Sequence, residues 1–206
     1  MMAPSITNEY VKKLLKILDV NEKPIYLKVT PEPYAKIVEC FPAVDEKIKN
    51  DGGQKVLGWQ IWKTEHILEA EFHAVWESKN GELKDITPKQ IDISNILFLP
   101  DKTLKYDGRQ KDNIRLNISN NPLVDDYIKI CEIEFKFLNK GNRAFEYGEI
   151  KLSGKENQFY KLLQETKSII FIMLQTNYTR NSYCLCGSQK KYKHCHGHKL
   201  EKKFKV

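Results

Sequence analysis

No apolar run in this 206-residue chain approaches the roughly 20 residues that a membrane-spanning helix needs. Ahead of Tyr10 there is neither a basic-then-apolar leader nor a small-residue cleavage site, so the expected compartment is the cytoplasm. Cysteine is scarce: there are five, and three of them crowd into positions 184–195. The other two, Cys40 and Cys131, complete no paired framework, and the crowding suits a metal better than disulfides. No phosphate-cradling loop is present, because Gly52-Gly53 is not followed by G-K-[ST]. Acid is nearly missing from the end of the chain. From Asn181 to Val206 seven lysines stand against Glu201 alone, a net +6 in a chain whose total is +7. The preceding body is therefore close to neutral.

What is present describes a globular protein. Apolar residues at 41% and aromatics at 11% are too abundant for disorder. Residues 8 to 19 read as an amphipathic helix that Thr7 can cap, with Val11, Leu14, Leu15 and Leu18 on one face. Pro24 to Val29 reads as a strand, and a short helix around Cys40 must end by Gly52-Gly53. Lys55 to Trp62 and Ile67 to Glu77 are strand-like, and Asn80-Gly81 turns the chain back into a partner strand over 82–87. Ile91 to Leu99 adds a fourth strand, and 100–113 is polar loop. Asn121-Pro122 opens a helix running to about Leu138, and a long helix covers about 156–175. Asn177 to Ser182 is a polar linker.

The tail reads C-L-C-G-S-Q-K-K-Y-K-H-C-H-G over 184–197. Cys184 and Cys186, one residue apart, project to the same side of an extended chain, and Gly187-Ser188 turns it back. Cys195 and His196 then bring adjacent ligands and complete a Cys3His set, a closed structural zinc site. A segment this small has no apolar core, so metal binding must supply its folding energy. His194 and His198 are rival fourth ligands. The tail resembles the SEC-C motif, the zinc-binding tail first known from the SecA preprotein translocase. Gln189 stands where glycine is usual, and Leu185 where proline is usual. The resemblance favours His196 over its neighbours and implies a module that docks protein partners.

The body holds Cys40, His73 and Asp85, in the order of a nucleophile, a base and an orienting carboxylate. Cys40 falls near a helix start, where thiol pKa values drop and backbone donors face an oxyanion. Alternation along the His73 strand puts Phe72, Ala74 and Trp76 on one face. Glu69, Glu71, His73 and Val75 then share the other, expected to look into a cleft or solvent. Cys40, Gly58-Trp59, His73-Ala74-Val75-Trp76 and Asp85-Ile86-Thr87 together resemble the transglutaminase-like branch of papain-like cysteine hydrolases. The usual alanine-rich helix after the cysteine is replaced by Phe41-Pro42-Ala43-Val44. Cys131 is expected in the core, and Trp59, Trp62 and Trp76 are expected to pack the sheet.

These observations predict an α+β fold: a small antiparallel sheet packed with helices, then a zinc-bound tail. The expected division is a body over 1–176, a linker over 177–182 and the tail over 183–206. The leading function is a cytoplasmic hydrolase or amidase acting on a thioester, amide or glutamine side chain, recruited to a protein partner by its tail. The rival is a non-enzymatic zinc adaptor. A third reading makes the lysine-rich tail, with Tyr192 and Phe204 as exposed aromatics, a contact for a nucleic acid or the ribosome.

Overall fold

In the computed structural model, which describes residues 1–202 and 204, the chain is a mixed α/β protein with an antiparallel sheet packed with helices. It divides into two compact units, residues 1–107 with 111–118 and residues 108–110 with 119–206. That division differs from the expected one, because the Cys/His tail shares a unit with the two long helices.

The first unit begins with α1 (Glu9–Leu18), whose apolar face buries Val11 and Leu14. Its cap is Asn8 and not Thr7. The Asn8 Oδ1 accepts from the Tyr10 N–H at 2.9 Å, while the Thr7 hydroxyl is engaged with Ser5 at 2.8 Å. Next come β1 (Ile25–Lys28), α2 (Cys40–Asp51), β2 (Gln54–Lys63), β3 (Ile67–Glu77), β4 (Leu83–Lys84), β5 (Asn95–Pro100) and β6 (Ile114–Asn117). The spatial order is β1-β5-β2-β3-β4, with β6 also on β3, and every named pairing is antiparallel. β6 is an addition to the expected strands, since its four residues, Ile114-Arg-Leu-Asn117, carry little period-two signal.

The expected strand over 82–87 shortens to β4. Beyond Lys84 the backbone leaves β3 and bonds to the end of β1 instead. Asp85 N–H donates to Lys28 O at 3.2 Å, and Thr30 and Glu32 N–H donate to the carbonyls of Asp85 and Ile86. Consequently β3 has β6 beside residues 67–70 and β4 beside 76–77, with no strand partner on that edge between them among the described residues.

Both sheet faces are covered. On one, Trp59, Ile61, Leu68, Ala70, Phe72, Ala74 and Trp76 pack with Val11 and Leu14 of α1 and with Phe41, Ala43 and Val44 of α2. Burying each large apolar side chain there contributes roughly 1.5–3 kcal/mol. On the other, Leu27, Trp62, Val75, Ile96 and Phe98 form a smaller cluster. This corrects the expectation that His73 faces a cleft or solvent: His73 is 3% exposed and Val75 fully buried. The cause is Gly58, which pairs with His73 across β2–β3. A Cβ at position 58 would lie 2.5 Å from the Phe98 ring, so the missing side chain is what lets Phe98 cover this face. The three tryptophans pack the sheet as expected, each with a satisfied indole N–H: Trp59 to Asp101, Trp62 to Glu71 and Trp76 to Gly52 O.

In the second unit, α3 (Leu123–Leu138) packs against α4 (Gly154–Gln175). Ser153 caps α4 in a capping box with Glu156, which moves its start ahead of the expected residue. Phe137 meets Phe159 at 4.9 Å, and Glu134 holds both Gln164 and Lys167. Cys131 is in the core, as expected. The segment over 177–182 is bonded rather than loose. Asn121 Nδ2 donates to Tyr178 O at 2.7 Å, and Arg180 Nε lies 3.0 Å from Asp126 Oδ2. Tyr192 and Phe204, expected as exposed aromatics, are both buried, Phe204 against Phe159 at 5.7 Å.

Candidate metal centre and the Cys40–His73–Asp85 region

The tail builds its site from a small hairpin. Tyr183 and Lys191 bridge antiparallel, and Cys184 N–H donates to Lys190 O at 2.8 Å. Two left-handed residues make the bend, Gly187 at φ +77 and Gln189 at φ +58. The hairpin brings Cys184 and Cys186 together, and a 3-10 turn over Tyr192–His194 delivers Cys195. His196 opens α5 (His196–Lys202).

These elements place one ligand atom from each of Cys184, Cys186, Cys195 and His196 within 4.8 Å of one another. Cys184 Sγ is 3.2 Å from His196 Nδ1, Cys186 Sγ is 3.4 Å from Cys195 Sγ, and Cys195 Sγ is 3.5 Å from His196 Nδ1. A tetrahedron of thiolates around zinc has edges of about 3.8 Å, so the donors stand close to the arrangement a metal requires. His194 and His198 are both exposed and outside this cluster. Residues 180–197 match the SEC-C motif. No curated protein and no solved structure matches the chain. The match covers the tail alone and supports no transglutaminase-like or papain-like assignment of the body.

Several residues of the matched segment have a local structural role. Gly197 lies so close to Tyr192 that a Cβ would sit 2.9 Å from the ring and 3.1 Å from its carbonyl oxygen. Tyr192 in turn fills the space beneath the site, where burial and the neighbouring Asp126 push its pKa up. Ser188 Oγ lies 3.2 Å from Cys195 Sγ, and its hydroxyl holds the Cys186 thiol down at about 7. Burial raises Cys184 to about 11, so a metal binding there must displace its proton. Burial also lowers the His196 pKa and keeps the ring neutral, the form that can ligate.

In the first unit the structure brings His73 and Asp85 into direct contact. His73 Nε2 lies 3.2 Å from Asp85 Oδ1, and the Asp85 carboxylate also accepts from the Thr87 N–H at 3.1 Å. With Nε2 on the carboxylate, the other ring nitrogen, Nδ1, is left for a different partner. Cys40 is the first residue of α2, which packs mainly on β3, and its charge acts on the His73 ring. No hydrogen bond joins Cys40 to His73 among the described residues. Burial and the Lys89 ammonium oppose a proton on His73, but the Cys40 and Asp85 charges outweigh them and raise its pKa to about 9. Burial likewise works to raise Asp85, and His73 and Lys89 override it and hold the carboxyl near about 2.

Two features of this region went unread in the sequence. Lys89, nearly buried, lies 2.6 Å from Asp85 Oδ2 and donates to Gln60 Oε1 at 2.9 Å. Its i, i+4 spacing from Asp85 was the available signal. Val38, two residues before Cys40, has φ +62, a conformation that costs a β-branched residue about 1–2 kcal/mol. Such strain persists where the surroundings impose it, and it concentrates at functional sites. Elsewhere on β3 the carboxylates are occupied: Glu69 pairs with Arg115 at 2.8 Å, and Glu71 accepts from Trp62.

Proposed function

We propose that this is a cytoplasmic zinc-binding protein whose first unit is a cysteine hydrolase or amidase and whose tail docks a protein partner. The observation that carries the metal reading is the Cys3His cluster, with its ligand atoms within 4.8 Å of one another inside the SEC-C motif. Cys184, Cys186 and Cys195 would bind as thiolates and His196 through Nδ1. Zinc, closed off by four protein ligands, would supply folding energy to the tail and no chemistry. Three clustered thiols also need a reducing compartment. The exposed Tyr183 and Leu185 beside Lys190 and Lys191 support a docking role.

The hydrolase reading is supported by the buried His73–Asp85 contact and by a cysteine at a helix start that acts electrostatically on the same ring. Cys40 Sγ would attack the carbonyl of a thioester, amide or glutamine side chain as a thiolate, its proton already resting on His73, whose pKa stands at about 9. The Cys40 and Phe41 N–H groups at the start of α2 would hold the oxyanion, since Pro42 has no N–H and the Ala43 N–H donates to Glu39 O. His73 would return the proton to the leaving group, and water would release the acyl group from Cys40. Asp85 would orient the ring through Nε2.

Two measurements test the two halves. Metal analysis should find about one zinc per chain, lost in a Cys186→Ser, Cys195→Ser double variant; retention by that variant sinks the metal reading. In zinc-loaded protein, iodoacetamide should modify Cys40 much faster than Cys131, and His73→Ala should slow it. A Cys40 indifferent to His73 leaves the non-enzymatic zinc adaptor in its place.

A further inference from the structure

Asp85 is shared between two cations, and the second of them is Lys89. We propose that Lys89 is a positioning residue for the hydrolase reading, on which this inference rests: its ammonium holds the far oxygen of Asp85 and tunes how firmly His73 keeps its proton. Three polar partners surround the ammonium. Lys89 Nζ lies 2.6 Å from Asp85 Oδ2, 2.9 Å from Gln60 Oε1 and 3.4 Å from His73 Nε2. Gln60 is itself 1% exposed, and Asp85 has no exposed surface. An ammonium so placed has lost most of its water and is retained at a cost, which only good partners offset.

Among the described residues, the titratable groups that act on His73 are Cys40 from α2 and Asp85 and Lys89 from the segment after β4. β2 contributes the neutral Gln60, and β5 contributes Phe98, whose ring lies edge-on 6.4 Å from the imidazole. Without Lys89, no positive charge would offset the hold that Asp85 gives His73 on its proton, and the ring would release it less readily to a leaving group. Lys89 places a positive charge beside the same nitrogen that meets Asp85. It therefore lowers the proton affinity of the ring while keeping the carboxylate fixed. Orientation and basicity are thus set by different atoms: Asp85 Oδ1 aims the imidazole, and the ammonium on Oδ2 limits its charge.

The test uses the zinc-loaded full chain and two substitutions. Lys89→Gln keeps a hydrogen-bond donor for Asp85 Oδ2 but removes the charge, and Lys89→Arg keeps the charge. Imidazole nitrogen shifts followed by NMR should show the His73 titration rising by about one pH unit in Lys89→Gln. The pH profile of Cys40 alkylation should move in the same direction, and Lys89→Arg should titrate like the unaltered protein. An unmoved His73 titration in a folded Lys89→Gln protein overturns the proposal, and so does a Lys89→Arg protein that shifts as far as Lys89→Gln. Either result leaves the hydrolase reading standing, because that reading fails on a different observation, Cys40 reactivity that ignores His73→Ala.

Discussion

Tyr192 and Gly197 are in such close contact that a methyl group at 197 would lie 2.9 Å from the Tyr192 ring. The tyrosine is fully buried, and its own carbonyl oxygen is 3.1 Å from the same point, so neither ring nor backbone has room to retreat. Gly197→Ala should therefore push α5 off the hairpin and weaken the tail by about 1–3 kcal/mol. Zinc competition with a chromogenic chelator would read this as easier release. Gly154→Ala, where an added methyl meets nothing within 4 Å, is the control and should leave zinc affinity unchanged.

Gln189 offers the opposite change. It adopts φ +58, a left-handed conformation that costs a residue with a Cβ roughly 1–2 kcal/mol and glycine nothing. Glycine loses more freedom on folding, which cancels part of the benefit. Gln189→Gly should still tighten zinc binding, by about threefold. A Gln189→Ala protein that tightened it equally would rule out the backbone explanation.

The tail and the helices share one unit, and truncation should show it. Ending the chain at Thr179 removes Arg180 from Asp126, and Phe204 from Phe159. Asp126 is 7% exposed, and a buried carboxylate stripped of its cation costs about 3 kcal/mol or more. Helix content monitored during urea unfolding should show α3 and α4 destabilised by the truncation. An unchanged midpoint would mean that the tail folds independently of the helices that share its unit.

The His73–Asp85 pair sets a pH window for stability. His73 is raised to about 9, so its contribution is complete below its ordinary 6.5 and is lost as pH rises through 9. Asp85 is held at about 2, so its contribution is complete above 3.8 and is lost as pH falls through 2. The pair therefore stabilises the protein most between about pH 4 and 6.5. Urea unfolding of the unaltered protein should weaken from pH 6.5 to 9.5 by at most about 3 kcal/mol relative to His73→Gln. Parallel pH curves for the two proteins would exclude an ion pair at this position.

The metal cluster was legible because all its ligands lie within thirteen residues, 184–196, where local spacing decides which atoms can meet. The strand over Ile67–Glu77 was legible at both ends for the same kind of reason, with a turn on one side and unbroken apolar alternation on the other. The choice of Asn8 over Thr7 as the cap of α1 was not, since Ser5 captures the Thr7 hydroxyl and both residues are capping types. Nor was the burial of Tyr192, which depends on α3 supplying Asp126 from sixty-six residues earlier in the chain.

The sequence by itself determined which residues of the tail could meet at a metal. It did so because spacing along a chain limits reach over one or two turns. Tertiary structure alone decided which faces of the sheet are dry. Period-two alternation assigns side chains to opposite faces without saying what covers either one. His73 is buried because Gly58 admits Phe98 from a strand some forty residues away, and Lys89 acquires its place because Gln60 of β2 and Asp85, from the segment after β4, converge on it.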